Sequence, residues 1–286
     1  MIREIRCKTL LGHKGLEFSI ACLQSFVNRS YDNIKLQIFE DGTLTAEDEI
    51  KLIAAFDDVI VVKRSERDEY INRKLANHPR CLEYRNSTVY AHKIFDVMLF
   101  DEEDLFFIDS DIWFLKNFTL PDFNNTPAFI EDKQSAYSLK PLEFLQLKTP
   151  LFPFVNTGFI YFPSALFNLD LVEKLLQDPI ILKGKRRGIP WLEQTMWSFL
   201  AAQKKEVNYF DRDQVMMAKK ELGLTDQTIA IHLVSSYRYH YDELRKLNQA
   251  DTEMHYPVRL KTVSTYLKKI DFAVEKIVIK LKRHLT

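Results

Sequence analysis

The sequence predicts an α/β fold with a mostly parallel, doubly wound sheet, and two patterns predict it. Over residues 7–108, short apolar runs of strand length alternate with segments of helical spacing, the rhythm of βαβ units. The last of these runs, Leu105-Phe106-Phe107-Ile108, leads straight into Asp109-Ser110-Asp111. An aromatic-rich apolar run suits a fully buried strand. Residues just past the carboxyl end of such a strand lie where open α/β sheets bind ligands.

Taken in order, Cys7–Leu11 reads as a strand and Leu16–Val27 as a helix, with Leu16, Ile20, Leu23 and Val27 on one face. Ile34–Phe39 is the next strand and ends at the turn Glu40-Asp41-Gly42. Thr45–Phe56 reads as a helix opened by a capping-box pattern, Thr45 with Asp48 three residues on. Val59–Val62 is a third strand, and Ser87 is placed as the N-cap of a helix through Phe100. Past Asp111 the rhythm changes. Residues 117–154 hold Pro121, Pro127, Pro141, Pro150 and Pro153, the mark of turns. Phe154–Phe162 resumes as a strand, Ala165–Leu176 and Pro190–Ala202 as helices, and Val207–Phe210 and Ile229–Val234 as strands. No linker divides the chain, so 1–258 is taken as one catalytic domain and 259–286 as a tail.

Hydrophobic residues make up 46% of the 286, with 21 Phe, which excludes global disorder. A formal net charge of zero excludes a general nucleic-acid binder. That balance is uneven: residues 259–286 carry +6, leaving −6 on 1–258. Cys7, Cys22 and Cys81 have no metal-site spacing and read as thiols of a reducing compartment. Met1–Arg6 lacks an apolar signal region and no stretch is long and apolar enough for a membrane span. A cytoplasmic protein is therefore expected.

Asp109 and Asp111 place two carboxylates side by side. They repel unless a cation sits between them, and a hard divalent ion that also holds a diphosphate answers that need. The plain alternative is a surface turn. Partners elsewhere decide between the two. Four segments stand in order: Phe107-Ile108-Asp109-Ser110-Asp111-Ile112-Trp113, Asn156-Thr157-Gly158-Phe159-Ile160-Tyr161-Phe162, Trp191-Leu192-Glu193-Gln194-Thr195-Met196 and His232-Leu233-Val234-Ser235-Ser236-Tyr237-Arg238. Over roughly residues 5–240 they resemble the metal-dependent GT-A glycosyltransferases, within these the retaining family of glycogenin and the bacterial lipopolysaccharide galactosyltransferases. The last segment keeps that family's His-x-x-Gly-x-x-Lys spacing, with Ser235 for Gly and Arg238 for Lys.

The resemblance implies a GT-A, Rossmann-like fold and transfer of a hexose from a UDP-sugar to a hydroxyl of a glycan or glycolipid, with retention. It implies Mn²⁺ or Mg²⁺ held by Asp109, Asp111 and His232. A divalent cation bridging the phosphates neutralises the charge that builds on the leaving diphosphate, and an imidazole beside carboxylates suits Mn²⁺. By resemblance the donor also meets Lys93, Ser110, Asn156, Gly158 and Arg238. Asn156 offers donors and an acceptor to sugar hydroxyls, and Gly158 allows close backbone approach. Arg238 forks onto two phosphate oxygens where a lysine is a point charge. Thr9 and Asp41, at the ends of the first two strands, are the candidates for the nucleoside.

Glu193 and Gln194 stand at the family's Asp-Gln pair, the catalytic position. With retention, either one stabilises the oxocarbenium-like centre; with inversion, Glu193 is the general base on the acceptor. Two other classes compete. Haloacid-dehalogenase-type phosphatases also use Asp-x-Asp after an apolar strand, but near the N-terminus and with Thr or Val where this chain has Trp113. A metal-dependent sugar-binding module would need the same residues without turnover.

From Val263, apolar residues recur every three or four through Leu285, with Lys268, Lys269, Lys276, Lys280, Lys282 and Arg283 off the stripe. This is a basic amphipathic C-terminal helix, which either packs on the domain or lies on an anionic membrane surface. The second case puts the protein peripherally on the inner face of the membrane.

Overall fold

The computed structural model describes residues 2–187, 191–247 and 254–285. Its first half alternates as expected: β1 (Glu4–Leu11), α1 (Leu16–Arg29), β2 (Asn33–Glu40), α2 (Ala46–Ala55), β3 (Ile60–Val62), α3 (Arg64–Lys74), α4 (Pro79–Ser87), α5 (Tyr90–Leu99) and β4 (Leu105–Ile108). Next come β5 (Ile112–Phe114), β6 (Asn117–Thr119), β7 (Ala128–Glu131), α6 (Pro141–Gln146) and β8 (Val155–Phe162). The chain continues through α7 (Leu169–Gln177), α8 (Pro179–Arg186), α9 (Leu192–Ala201), β9 (Val207–Phe210), β10 (Val215–Met217) and β11 (Ala230–His232). It closes with α10 (Tyr241–Leu247), β12 (His255–Pro257), β13 (Leu260–Val263) and α11 (Lys269–Leu285).

Eight strands form the main sheet in the order β13-β9-β7-β8-β4-β1-β2-β3. Its β4-β1-β2-β3 half is wholly parallel, the doubly wound unit that the alternation predicts. Antiparallel pairs enter at β4–β8, β8–β7 and β9–β13, after the Pro-rich stretch. Apolar side chains bury on both faces of the sheet, as strands covered on two sides require. The Thr45–Asp48 capping box forms: Asp48 N–H donates to Thr45 Oγ1 at 3.2 Å and Thr45 N–H to Asp48 Oδ2 at 2.9 Å.

Three expectations are corrected and one helix is added. Ser87 closes α4 instead of capping the next helix, which starts at Tyr90. The added helix, at 64–74, shows no apolar stripe because it buries Arg67 beside Ile71, and Arg67 and Arg85 both bury against Asp96. The helix expected at Pro190–Ala202 starts at Leu192, and Pro190 lies outside the described residues. The sheet also runs past residue 258. β13 pairs with β9 as the edge strand, so the stripe from Val263 is first strand and only from Lys269 helix. α11 is anchored by Phe272, buried against Phe144 and Tyr137. All three cysteines are free and buried.

Candidate active site

A small second sheet, β10-β11-β5, builds the site. β5 leaves the Asp109-Ser110-Asp111 turn and pairs antiparallel with β11, setting Ile112 opposite His232. The next ladder bond runs from Leu233 N–H to the Asp111 carbonyl at 2.8 Å. This register brings His232 Nε2 to 3.0 Å from Asp111 Oδ1 and 3.7 Å from Asp109 Oδ2. Asp109, Asp111 and His232 each offer one ligand atom, all within 4.8 Å of one another.

The imidazole is held from behind. Asn156 Oδ1 accepts the Gly158 N–H at 3.0 Å, which identifies it as the amide oxygen. His232 Nδ1 lies 3.2 Å from that oxygen and must be its donor, so Nε2 is the nitrogen that faces the carboxylates. This is the hydrogen bond that orients a metal-ligating histidine. Gly158 makes room for the ring: a Cβ there would sit 2.3 Å from His232 Cε1. Its lack of a side chain thus gives His232 its place, and Gly158 also lines the cleft.

The electrostatics separate the two carboxylates. Burial raises both, but the charges of His232 and Arg238 hold Asp111 well below the usual carboxylate range. Asp109 stays raised, because burial and the Asp111 charge outweigh Lys93. Burial disfavours the charged imidazole of His232, yet Asp111 and Asp109 lift it on balance. Asp111 Oδ1 is buried with His232 Nε2 beside it at 3.0 Å, so a cation held there would take a ligand atom from each. Two carboxylates and a neutral imidazole fit Mn²⁺ or Mg²⁺, the nitrogen favouring Mn²⁺.

Arg238 Nη2 donates to Asp111 Oδ2 at 2.8 Å, and its guanidinium lies over the Phe18 ring. It therefore holds the Asp-x-Asp turn, with its side chain still half exposed toward the cleft. Ser235, at the family's Gly position, has φ 53°, the left-handed region that glycine favours. Lys93 is buried, donating to Asp109 Oδ1 at 2.9 Å and to the Thr157 carbonyl at 3.0 Å. Its charge is matched by Asp109 and, at 4.0 Å, by Glu193; it braces the carboxylates at the wall of the cleft. Ser110 Oγ donates to Ser19 Oγ at 3.1 Å, tying the turn to α1.

Glu193 and Gln194 arrive on the first turn of α9 and line the same cleft, a hollow of about 600 Å³ over Asp109, Asp111, Asn156, Gly158 and His232. Glu193 Oε2 accepts from Thr157 Oγ1 at 2.9 Å, and its Oε1 has no hydrogen-bond partner. Burial pushes its carboxyl up to about 7 against the pull of Lys93. Gln194 Nε2 donates to the Ala136 carbonyl at 2.8 Å, leaving its oxygen as the remaining acceptor.

Thr9 and Asp41 are not brought to the cleft. Thr9 is fully buried among the strands, and it is Leu10, pointing the other way, that lines the hollow. Asp41 caps its own turn, accepting from Thr43 N–H and Oγ1 at 2.9 and 2.6 Å. The sequence reading missed Thr157, Tyr90 and Trp191. Thr157 sits inside the Asn156–Gly158 segment, and strand alternation would have pointed it away from Asn156, toward Glu193.

No protein-family model and no curated protein matches the chain. Solved structures do. The apo form of mouse xyloside xylosyltransferase 1 overlays at TM-score 0.55 and 11% identity, over 80% of this chain and 97% of that one. The apo bifunctional glycosyltransferase WbbM overlays at TM-score 0.53 and 11% identity over 87% of this chain, which spans only 50% of that protein. The galactosyltransferase LgtC with donor and acceptor sugar analogues overlays more loosely, at TM-score 0.48 and 8% identity, over 87% and 98%. The fold is the GT-A fold of glycosyltransferases.

Proposed function

We propose that this chain is a metal-dependent glycosyltransferase that moves a hexose from a UDP-sugar to a hydroxyl of a glycan or glycolipid, with retention. The observation that carries it is the Asp109–Asp111–His232 cluster opening into one cleft with Asn156, Glu193 and Gln194. Asp109, Asp111 and His232 Nε2 would hold Mn²⁺ or Mg²⁺, which when bound supplies Lewis-acid neutralisation of the donor diphosphate. Arg238 adds charge on the same side. Asn156 lines the sugar pocket, with its oxygen already committed to Gly158 and His232. The Gln194 oxygen, left as an acceptor in the cleft, would stabilise positive charge on the reacting carbon, while the leaving phosphate would take the acceptor proton. The UDP donor and retention rest on the four-segment resemblance. An anionic membrane surface, met through the C-terminal helix, completes the reading.

One observation favours a second reading. A Glu193 carboxyl near 7 is matched to general-base work at neutral pH, which would give inversion. The test is incubation of the full chain with UDP- and GDP-sugars, with Mn²⁺ or with EDTA, following nucleoside diphosphate release and the anomer of the product by NMR. Mn²⁺-dependent release from a UDP-sugar is expected, with the anomeric configuration kept. Hydrolysis of simple phosphoesters instead, or binding with no turnover, would overturn the transferase reading.

A further inference from the structure

We infer that the acceptor carries a compact anionic group, a phosphate or a carboxylate, and that Lys133, Arg212 and Lys219 receive it in a basic hollow beside the cleft. This rests on the transferase reading and adds to it the charge class of the acceptor.

The topology gathers these cations. Lys133 follows β7, Arg212 follows β9 and Lys219 follows β10, each two residues past the last of its strand. β7 and β9 are parallel neighbours, and β10 packs against β7. All three side chains therefore line one hollow of about 180 Å³, at the carboxyl ends of strands, where α/β sheets bind ligands. Residues 1–258 carry a net charge of −6, so this cluster runs against the charge of its own domain.

The cations are held in place. Arg212 Nη2 donates to the Asp132 carbonyl at 2.7 Å, and its guanidinium lies over the Phe154 ring. Lys133 Nζ donates to the Met217 carbonyl at 3.1 Å, which uses one of a lysine's three donors. The Lys219 carbonyl accepts from His240 Nε2 at 2.8 Å. Gly223, at φ 60°, leaves the Lys219 ammonium its room, since a Cβ there would stand 3.1 Å from Nζ.

Negative charge is short here. Glu131 is paired with Arg212 at 3.1 Å and with Lys261 at 3.8 Å, which leaves exposed Asp213 as the other acid of the hollow. Neither Lys133 nor Lys219 makes an ion pair among the described residues. Burial and the Lys219 charge hold the Lys133 ammonium below the ordinary lysine range, with Arg212 adding and Asp132 opposing. An anion between the cations relieves that repulsion. Pockets for drug-sized ligands hold about 300–1,000 Å³, so this one admits a single small group and not a nucleotide.

The hollow opens on the acceptor side. Beyond Asn156 and Gln194 the cleft widens to about 950 Å³, and Lys133, Met217 and Lys219 line that wider part too. None of these three lines the part over Asp109, Asp111 and His232. The anion is thus distinct from the donor diphosphate, and a saccharide seated beside Gln194 meets the lysines with its far end. The acids of the wider part are already bound: Asp132 accepts from the Lys133 and Gln134 N–H groups at 2.6 and 3.3 Å, and Glu275 from the Ser135 N–H at 2.8 Å.

Calorimetric titration of the metal-free full chain with glucose 6-phosphate, glucuronate and glucose tests this. Both anions should bind about tenfold more tightly than glucose, or better, as charged hydrogen bonds require, and less tightly as salt rises. The tighter of the two tells a phosphate ester from a carboxylate. Lys133→Gln and Lys219→Gln, at exposed positions, should each weaken anion binding about tenfold with unchanged circular dichroism. UDP with Mn²⁺ should not displace glucose 6-phosphate. Glucose bound as tightly as the anions, no binding of any of the three, full anion affinity in both lysine variants, or displacement by UDP would each overturn the inference. Binding needs no catalysis, so absent donor hydrolysis beside the expected binding overturns the transferase reading and not this site.

Discussion

A single methyl added at Gly158 should unseat His232. An alanine Cβ would lie 2.3 Å from Cε1 and 2.5 Å from Nδ1 of the ring, where ordinary van der Waals contact begins at 3.4 Å. The ring must therefore retreat by about 1 Å, with overpacking costing about 1–3 kcal/mol. It has nowhere neutral to go. Nδ1 is tied to Asn156 at 3.2 Å and Nε2 stands 3.0 Å from Asp111, so the retreat breaks one contact or the other. Losing the orienting hydrogen bond of a ligating histidine typically costs about 10–100-fold in metal affinity. Isothermal titration of Mn²⁺ into the wild type and Gly158→Ala, alongside thermal unfolding without metal, measures both effects. A variant that binds Mn²⁺ as tightly as the wild type, with unchanged Tm, refutes the account of the site.

Asp111→Asn should abolish metal-dependent turnover and the Mn²⁺-induced rise in Tm while leaving the circular dichroism intact; full activity would return the motif to being a turn. Glu193→Gln should flatten part of the pH–stability profile. The folded carboxyl is raised to about 7 from 4.5, so its share of stability is present below 4.5 and lost as pH rises through 7. That loss approaches about 3 kcal/mol, and unfolding curves from pH 4 to 8 should show it in the wild type but not in the variant. Arg238→Ala should raise the donor KM by about 10–100-fold, the worth of a hydrogen bond to a charged group. Arg238→Lys should recover part of it, as steady-state kinetics would show.

The parallel half of the fold was legible because β2 and β4 bury apolar runs of strand length between helices, with the shorter apolar runs of β1 and β3 beside them. α3 and α4 were not, since the side chains they bury include Arg67 and Arg85, neutralised by Asp96 across the core; an apolar-period reading is blind to buried charge. β5, β10 and β13, three or four residues each, are too short to carry a period. At the site, Asp109, Asp111, His232, Asn156, Glu193 and Gln194 do converge, because their motifs mark strand ends and one helix start. What those motifs do not encode is who pairs with whom. Nothing in the Lys93 segment tells of its partners Asp109 and Glu193, and nothing in the Gly158 motif tells that His232 packs on it.

The pairing of β5 with β11 has a consequence for how this protein is made. Asp111 and His232 come from distant parts of the chain and meet only because Ile112 lies opposite His232. A slip of one residue turns every side chain of a strand to the other face, and would carry the imidazole away from both carboxylates. Affinity for a divalent ion at this cluster would thus report strand alignment. Since whatever binds only the native state stabilises it by mass action, an ion held there would favour the aligned chain over its misaligned competitors. Refolding with and without Mn²⁺, and separating chains that retain it from those that do not, would count molecules closed in step against those closed out of step.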